Sequence, residues 1–264
     1  MDMTKKHTFA LCAYKESEFL ESAVISLLEQ SVKSEVFIAT STPCEHISKI
    51  AEKYGLEVYV NEGVKGIGGD WNFAYDAAKT PYVTIAHQDD IYEKDYAKRA
   101  IEFLDSAKEP IMYFSGYGEL RNGEKVYDNK LLNVKKLMLS PLKLKFFWKS
   151  RFVRRRILSF GCAICCPAVT MVKERFGSTP FTNDYRSNID WQQWEIQSRK
   201  KGSFVYNAEP LMCHRIHSES TTSEIIGENH RIKEDFDMYK KFWPWWIAKI
   251  LMKFYSKSQD SNNV

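Results

Sequence analysis

The stretch Val83-Thr84-Ile85-Ala86-His87-Gln88-Asp89-Asp90-Ile91-Tyr92 breaks from an apolar, partly β-branched run into two adjacent carboxylates. Such a run bounded by polar residues predicts a buried strand. That strand delivers Asp89 and Asp90 at its carboxyl end, where open α/β sheets bind ligands. Neighbouring carboxylates at a strand tip repel each other unless a cation lies beside them, and hard oxygen ligands suit Mg²⁺ or Mn²⁺ bridging to a diphosphate. Taken alone, Asp-Asp also reads as a solvated turn leading into a helix cap. What surrounds the pair decides between the two.

Upstream, strand and helix alternate. Thr8 to Ala13, Glu35 to Thr40, Leu56 to Val60 and Tyr82 to Ala86 read as strands, and Glu18 to Gln30, Cys44 to Tyr54, Asp70 to Ala78 and Lys94 to Asp105 as helices. This alternation predicts a parallel sheet with helices on both faces, the nucleotide-binding half of many enzymes. Asn61-Glu62-Gly63-Val64-Lys65-Gly66-Ile67-Gly68-Gly69-Asp70-Trp71-Asn72 lies between the third strand and the next helix. Its glycines let backbone approach a ligand closely, and the helix start can face a phosphate; a plain flexible turn fits the same residues. Beyond Ile111 to Gly116, a strand, Arg121-Asn122-Gly123-Glu124 signals a hairpin. Regular pattern then lapses until a strand-like Phe160 to Cys165. A polar loop over Thr179 to Asn188 leads to a helix opening at Asp190-Trp191-Gln192-Gln193-Trp194-Glu195, with Asp190 at or near its cap, and Phe204 to Tyr206 and Leu211 to Ile216 read as short strands.

The 264 residues, 44% hydrophobic, suit one large domain with an appendage. The net charge of +4 hides an asymmetry: no acid occurs between Asp128 and Glu174, a window holding eleven bases, and the remaining 27 bases face 34 acids. A basic stripe from Lys130 to Arg156 interleaved with Leu, Phe and Trp is a footprint for something anionic, either lipid headgroups or nucleic acid. No recognised nucleic-acid module accompanies it, so nucleic acid is not an expected partner. Residues 242–255 place Lys249, Lys253 and Lys257 on one helical face and Trp246, Ile247, Ile250, Leu251 and Phe254 on the other, the profile of an in-plane interfacial helix. A helix packed on its own domain with its lysines in water accounts for the same pattern. The start, Met1 to Lys6, lacks a signal-peptide apolar core and no apolar run spans a bilayer, so the expectation is a cytoplasmic protein, peripheral at the inner face of the membrane. Six cysteines fit that compartment as buried thiols. A zinc site from Cys162, Cys165, Cys166, Cys213, His214 and His217 lacks the paired spacing zinc sites show.

The order of these features resembles the family 2 glycosyltransferases, enzymes of the GT-A fold, from about Thr8 to Thr222. Leu11-Cys12-Ala13-Tyr14-Lys15 is similar to their opening strand and polar turn, Phe19 to Ser31 to the helix that follows, and Gly66 to Asn72 to their glycine-containing segment ending in Asn. Their Asp-x-Asp-Asp motif falls on His87-Gln88-Asp89-Asp90. The acidic residue that serves as base in inverting members falls on Asp190, and Arg215-Ile216-His217 before Ser218 to Thr222 resembles their Arg-x-His segment. Two departures stand out: His87 replaces the first aspartate of the motif, and Ser41-Thr42-Pro43 replaces an aspartate that often recognises base or ribose.

The resemblance implies an α/β GT-A fold, with a mostly parallel central sheet flanked by helices and a C-terminal amphipathic helical appendage. The glycosyltransferase domain is expected over 1–227, made of a nucleotide-binding half (1–128), a basic amphipathic insertion (129–159) and an acceptor half (160–227), with a helical, membrane-associating segment over 228–264. Asp190 is implied as catalytic base, Ala13, Tyr14, Ser41, Gly66, Asn72, Gln88, Asp89 and Arg215 as the nucleotide-sugar site, and Asp89, His217 and His87 as ligands of a divalent cation, Mn²⁺ or Mg²⁺. The implied reaction is inverting transfer of a sugar, UDP-linked sugars favoured, to a hydroxyl of a glycan or lipid-linked acceptor in cell-surface polysaccharide assembly, at an anionic membrane. A nucleotidyltransferase is the alternative, although that class carries a Gly-rich, Lys/Arg-bearing phosphate loop after the first strand where this chain has Ala13-Tyr14-Lys15-Glu16; a non-catalytic membrane-associated nucleotide-sugar-binding protein is another. Locally, Asp190 also reads as a helix cap, and Trp191 and Trp194 read as core or as a sugar platform.

Overall fold

A computed structural model describes residues 6–217 and 229–259, with side chains as far as Lys253. The expected Ser/Thr tail at Ser218 to Thr222, and the side chains of Phe254 and Lys257, lie outside the described residues. The chain runs β1 (His7–Ala13), α1 (Leu20–Leu28), β2 (Glu35–Thr40), α2 (Glu45–Tyr54), β3 (Glu57–Val60), α3 (Ile67–Ala77), β4 (Tyr82–His87), β5 (Ile91–Tyr92) and α4 (Tyr96–Ser106). It continues through β6 (Pro110–Arg121), β7 (Glu124–Val126), α5 (Lys130–Leu139), α6 (Arg151–Leu158), β8 (Val169–Val172), α7 (Lys173–Phe176), α8 (Ile189–Ser198), β9 (Ser203–Ile216), α9 (Asn229–Lys240) and α10 (Trp245–Gln259).

One sheet holds all nine strands in the order β3-β2-β1-β4-β8-β6-β9-β5, with β7 paired to β6. The first four strands are parallel, as the alternation of strand and helix requires. β8 enters antiparallel between β4 and β6, so the sheet as a whole is mixed. The strand expected over Phe160 to Cys165 is absent there; pairing starts at Val169, after a short 3-10 turn containing Pro167, whose ring nitrogen cannot donate to a ladder. The two short strands expected over 204–206 and 211–216 are one long strand, β9. Its register against β6 slips between Asn207 and Pro210. Asn122 and Gly123, at φ 50° and 83°, form the tight hairpin turn the Asn-Gly pair signals.

The basic stretch is folded, which its composition did not reveal. α5, two 3-10 turns and α6 carry it, and Trp148 is buried with its indole N–H on the Leu142 carbonyl. Two of its arginines face inward. Arg154 is 1% exposed and donates to the carbonyls of Ser198 (2.8 Å), Gly202 (2.7 Å) and Lys200, closing the end of α8. Arg155 pairs with Glu195 of α8 at 2.6 Å. These two residues are therefore structural cations and not part of a solvent-facing stripe. Trp191 and Trp194 are both fully buried, which settles them as core and excludes a sugar platform.

A buried guanidinium spent on three carbonyls is costly to remove, because each acceptor is left without a partner. Arg154→Leu is expected to lower folding stability by about 3 kcal/mol, whereas the exposed Lys143→Ser stays within about 0.5 kcal/mol. The midpoints of urea unfolding compare the two, and equal midpoints would show that the buried arginine is not holding α8.

Candidate active site

β4 ends at His87, and the chain turns through Gln88, Asp89 and Asp90 before β5. β5 pairs antiparallel with β9, Ile91 opposite Cys213 and Tyr92 opposite Met212. That register carries the next residues of β9, His214 and Arg215, up to Asp90, across more than 120 positions of sequence. His214 Nδ1 lies 2.9 Å from Asp90 Oδ1, which also accepts the Arg215 N–H at 3.0 Å. His217 Nε2 lies 3.1 Å from Asp89 Oδ2, and Arg215 Nε donates to the Asp89 carbonyl at 2.8 Å. Phe19, just before α1, braces this tail, its ring 4.2 Å from the Arg215 guanidinium and 5.0 Å from the His217 ring.

These contacts set the charges. Burial disfavours ionising Asp89, but the hydrogen bond from His217 and the fields of His87 and His214 outweigh it and hold the carboxyl below its usual range. Burial likewise opposes a charge on His214. The Asp90 carboxylate, by its charge and by the hydrogen bond, more than compensates and pushes the imidazole up to about 9. Each of the two aspartates thus lies against an imidazole, Asp90 against His214 of β9 and Asp89 against His217 just beyond it.

His87, Asp89 and Asp90 each present one ligand atom, all within 4.8 Å of one another. His87 Nε2 and Asp90 Oδ2 are buried and make no hydrogen bond; His87 Nδ1 sits 3.6 Å from Asp90 Oδ2. The His87 ring stacks on Trp71 of α3 at 5.3 Å, and Phe181 meets Trp71 edge-on. One imidazole and two carboxylates with unspent donor atoms fit a divalent cation of the Mn²⁺ or Mg²⁺ class. Asp90 enters this group although the sequence reading assigned the ligands to Asp89, His217 and His87; His217 touches the group through Asp89.

The loops after β1, β2 and β4 are tied beside it. Gln88 clasps the Tyr14 backbone, accepting its N–H at 2.8 Å and donating to its carbonyl at 3.1 Å. Lys15, at φ 55°, donates its N–H to Thr42 Oγ1 at 2.7 Å. Ala13 is buried and the Tyr14 ring exposed. Ser41 Oγ donates to Asp70 at 2.9 Å, and Asn61 Nδ2 donates to the other Asp70 oxygen at 2.7 Å. A carboxylate from α3 thus lies against the Ser41 hydroxyl. Gly66 opens α3 at φ 95°, and a Cβ on Gly69 would stand 2.2 Å from the Val64 carbonyl, so these glycines serve a tight fold-back and not a flexible turn. Both polar atoms of the Asn72 amide are spent on Phe181, donating to its carbonyl at 2.7 Å and accepting its N–H at 2.8 Å.

Asp190 is the second residue of α8, not its cap, which is Asn188. Its carboxylate accepts the Trp191 N–H at 2.7 Å, and the Cys162 thiol lies 3.6 Å from the other oxygen. Burial raises its pKa above the ordinary 3.8, opposed by the Trp191 N–H, the Cys162 thiol, and the charges of Lys135 on α5 and Arg231 on α9. The loop leading to Asp190 is clamped by α9: Glu234 accepts the backbone N–H groups of Arg186, Ser187 and Asn188, and Asp235 accepts from the Asn188 amide.

Residues 8–175, well over half of the chain, match Glycosyl transferase family 2. The chain belongs to glycosyl transferase family 2. Its fold is that of the GT-A glycosyltransferases. Staphylococcus aureus TarS 1–349, solved in complex with UDP-GlcNAc, is similar with a TM-score of 0.63 at 14% identity, over 94% of this chain and 70% of that one. The mannosyltransferase PcManGT from Pyrobaculum calidifontis, in complex with GDP-Man and Mn²⁺, gives 0.62 at 14% identity over 99% and 72%. Glucosyl-3-phosphoglycerate synthase from Mycobacterium tuberculosis, with Mn²⁺ and UDP-Glc, gives 0.56 at 13% over 88% and 77%. The chain spans 39% of the longer TarS chain and 60% of its 1–349 fragment in a further structure. No curated protein matches in sequence.

Sequence reasoning placed Asp90 at the strand tip without assigning it to the cation, and did not assign Asp70, Lys135 or Cys162 to the site. Lys135 stood in the basic stripe, yet its ammonium donates to Tyr117 Oη at 2.6 Å and its charge reaches both Asp190 and His214. The only sequence signal for it was membership of the acid-free window. Because Lys135 lowers the Asp190 pKa, its removal raises that pKa further and shrinks the ionised fraction at any given pH. Lys135→Met is therefore expected to move the acid limb of a pH–rate profile toward higher pH, while nucleotide binding at neutral pH is kept. An unmoved limb would disconnect Lys135 from Asp190.

Proposed function

We propose that this family 2 glycosyltransferase transfers a sugar, with inversion, from a nucleotide-diphosphate sugar to a hydroxyl of a glycan or lipid-linked acceptor, in cell-surface polysaccharide assembly. The observation that carries this is the meeting of His87, Asp89 and Asp90 with His214 and Arg215 of β9, and with His217 just beyond it, at the strand ends of a GT-A sheet. Residues 1–128 form the nucleotide half, with Ala13, Tyr14, Ser41, Gly66 and Gln88 around the donor. UDP-sugars are the favoured donors. Residues 160–227 bring the base and the acceptor side, and residues 129–159 and 228–264 face an anionic membrane at its cytoplasmic side. No described helix is long and apolar enough to cross a membrane.

His87, Asp89 and Asp90 would hold the divalent cation, with His217 beside them. The chemistry such a cation supplies is neutralisation of the charge that develops on a diphosphate leaving group. Arg215, aligned by Phe19 and the Asp89 carbonyl, adds a guanidinium that pairs with diphosphate oxygens. Asp190 takes the proton of the acceptor hydroxyl as that oxygen bonds to the anomeric carbon and the electron pair of the broken C–O bond leaves with the diphosphate. Its raised pKa makes it a stronger base than a solvated aspartate. In the folded chain Asp190 binds its proton more tightly than in the unfolded one, so its ionisation above its raised pKa destabilises the fold.

Release of free nucleotide from a panel of nucleotide sugars, with and without Mn²⁺, tests the activity; release from none of them rejects it. Asp89→Ala is expected to lower turnover by roughly two to four orders of magnitude, with excess chelator mimicking the loss, and full activity in chelator would dismiss the cation. Asp190→Asn keeps shape and the Trp191 hydrogen bond but cannot accept a proton. It is expected to lose transfer, retain nucleotide binding, and melt at the same temperature or slightly higher at neutral pH. Normal turnover by this variant would leave Asp190 a structural residue.

A further inference from the structure

Two segments distant in sequence meet on one face of the molecule. α6 presents Phe152 and Arg156 one turn apart, and Phe160 follows the helix end. Trp243 lies against them: the Arg156 guanidinium sits 4.4 Å from its ring, the Phe160 ring is 5.7 Å away, and its indole N–H donates to the Ser159 carbonyl at 2.7 Å. α10 begins two residues later. Ala248 is fully buried, and Leu251 and Met252 pack against the core, so the helix is seated on the domain. Its other side turns Trp245 and Trp246 to solvent at 61% and 54%, with Ile250 beside them, while Phe152 is 72% exposed. The sequence pattern had put the lysines opposite the apolar residues. In the structure a third face does the packing, and Lys249 stands 5.0 Å from the Trp245 ring with Lys253 exposed one turn on.

A seated helix that leaves two tryptophans in water carries an apolar patch that the fold itself does not use. The two stretches that build it carry charge of one sign. Neither contributing stretch, 129–173 or 238–259, contains a single acid, and Arg151, Arg156, Lys249 and Lys253 border the aromatic residues. We propose that this face docks on an anionic lipid bilayer, its tryptophans and phenylalanines at headgroup depth and its cations on lipid phosphates. A second copy of the chain is a poor occupant, since a two-fold pairing of the same patch sets like charges against each other. The face also borders the site: Cys162, two residues beyond Phe160, meets Asp190. Resting on the transferase function proposed above, this places the base where an acceptor held in the bilayer is delivered.

The test uses the full chain with vesicles of phosphatidylcholine alone and with about 30% phosphatidylglycerol, at low and high salt. Cosedimentation is expected with the anionic vesicles, weakening as salt rises. The exposed pair changed together, Trp245→Ser with Trp246→Ser, is expected to cut binding about tenfold with an unchanged melting temperature. Lys249→Gln with Lys253→Gln, which spares every aromatic residue, is expected to weaken binding to anionic vesicles only. Equal binding to both vesicle types, binding unaffected by the tryptophan pair, or no binding accompanied by concentration-dependent self-association overturns the proposal. UDP binding in the presence of Mn²⁺, read by thermal shift on the same preparations, separates the two claims: vesicle binding without nucleotide binding rejects the transferase function alone, and the converse rejects the docking face alone.

Discussion

Two carboxylates whose oxygens approach within 5 Å repel each other by about 3 kcal/mol at an effective dielectric of about 20, so Asp89 and Asp90 need opposing charge. β9 supplies it. His214 answers Asp90 and His217 answers Asp89, and both arrive through the β5–β9 ladder. The pairing therefore does two things together: it sets a hydrogen-bond partner beside each carboxylate and anchors the far end of β9 onto the end of β4. That anchoring also fixes Arg215, which is held by Phe19 and the Asp89 carbonyl.

At Asp190 the logic is inverted. Asp190 is surrounded by groups that only partly offset its burial, and so it retains its proton to a higher pH than a solvated aspartate. Asp89 is held low and Asp190 is held high, so two carboxylates of the same residue type are pushed apart by their surroundings. The position of Asp190 depends on α9, whose Glu234 gathers three consecutive backbone N–H groups ahead of α8. A helix read from sequence as part of an appendage thus orders the loop that leads to Asp190.

The basic stretch shows the limits of counting charges. Of three successive arginines, Arg154 is buried under three carbonyls, Arg155 pairs with Glu195, and Arg156 lies between Phe152 and Trp243. Lys135, from the same stretch, turns toward the cleft. Only the remainder, with Lys249 and Lys253, forms a cationic surface, and it does so around aromatic residues that α10 leaves outside.

Sequence alone determined the parallel half of the sheet, because strand and helix periodicities are local and the crossover rule converts their alternation into topology. It also located the Asp89–Asp90 tip and the Asn122-Gly123 turn, where residue types with narrow conformational preferences leave few alternatives. Tertiary structure decided the rest. β8 lies antiparallel to both its neighbours, and no local pattern encodes strand direction. The fusion of two short strands into β9 depends on β6 bridging the slip at Pro210. Which imidazole meets which aspartate and which arginine is buried are set by partners more than thirty residues away. A sequence pattern names the chemical types available, but long-range register chooses their neighbours, and the neighbours set the charge, burial and role of each group.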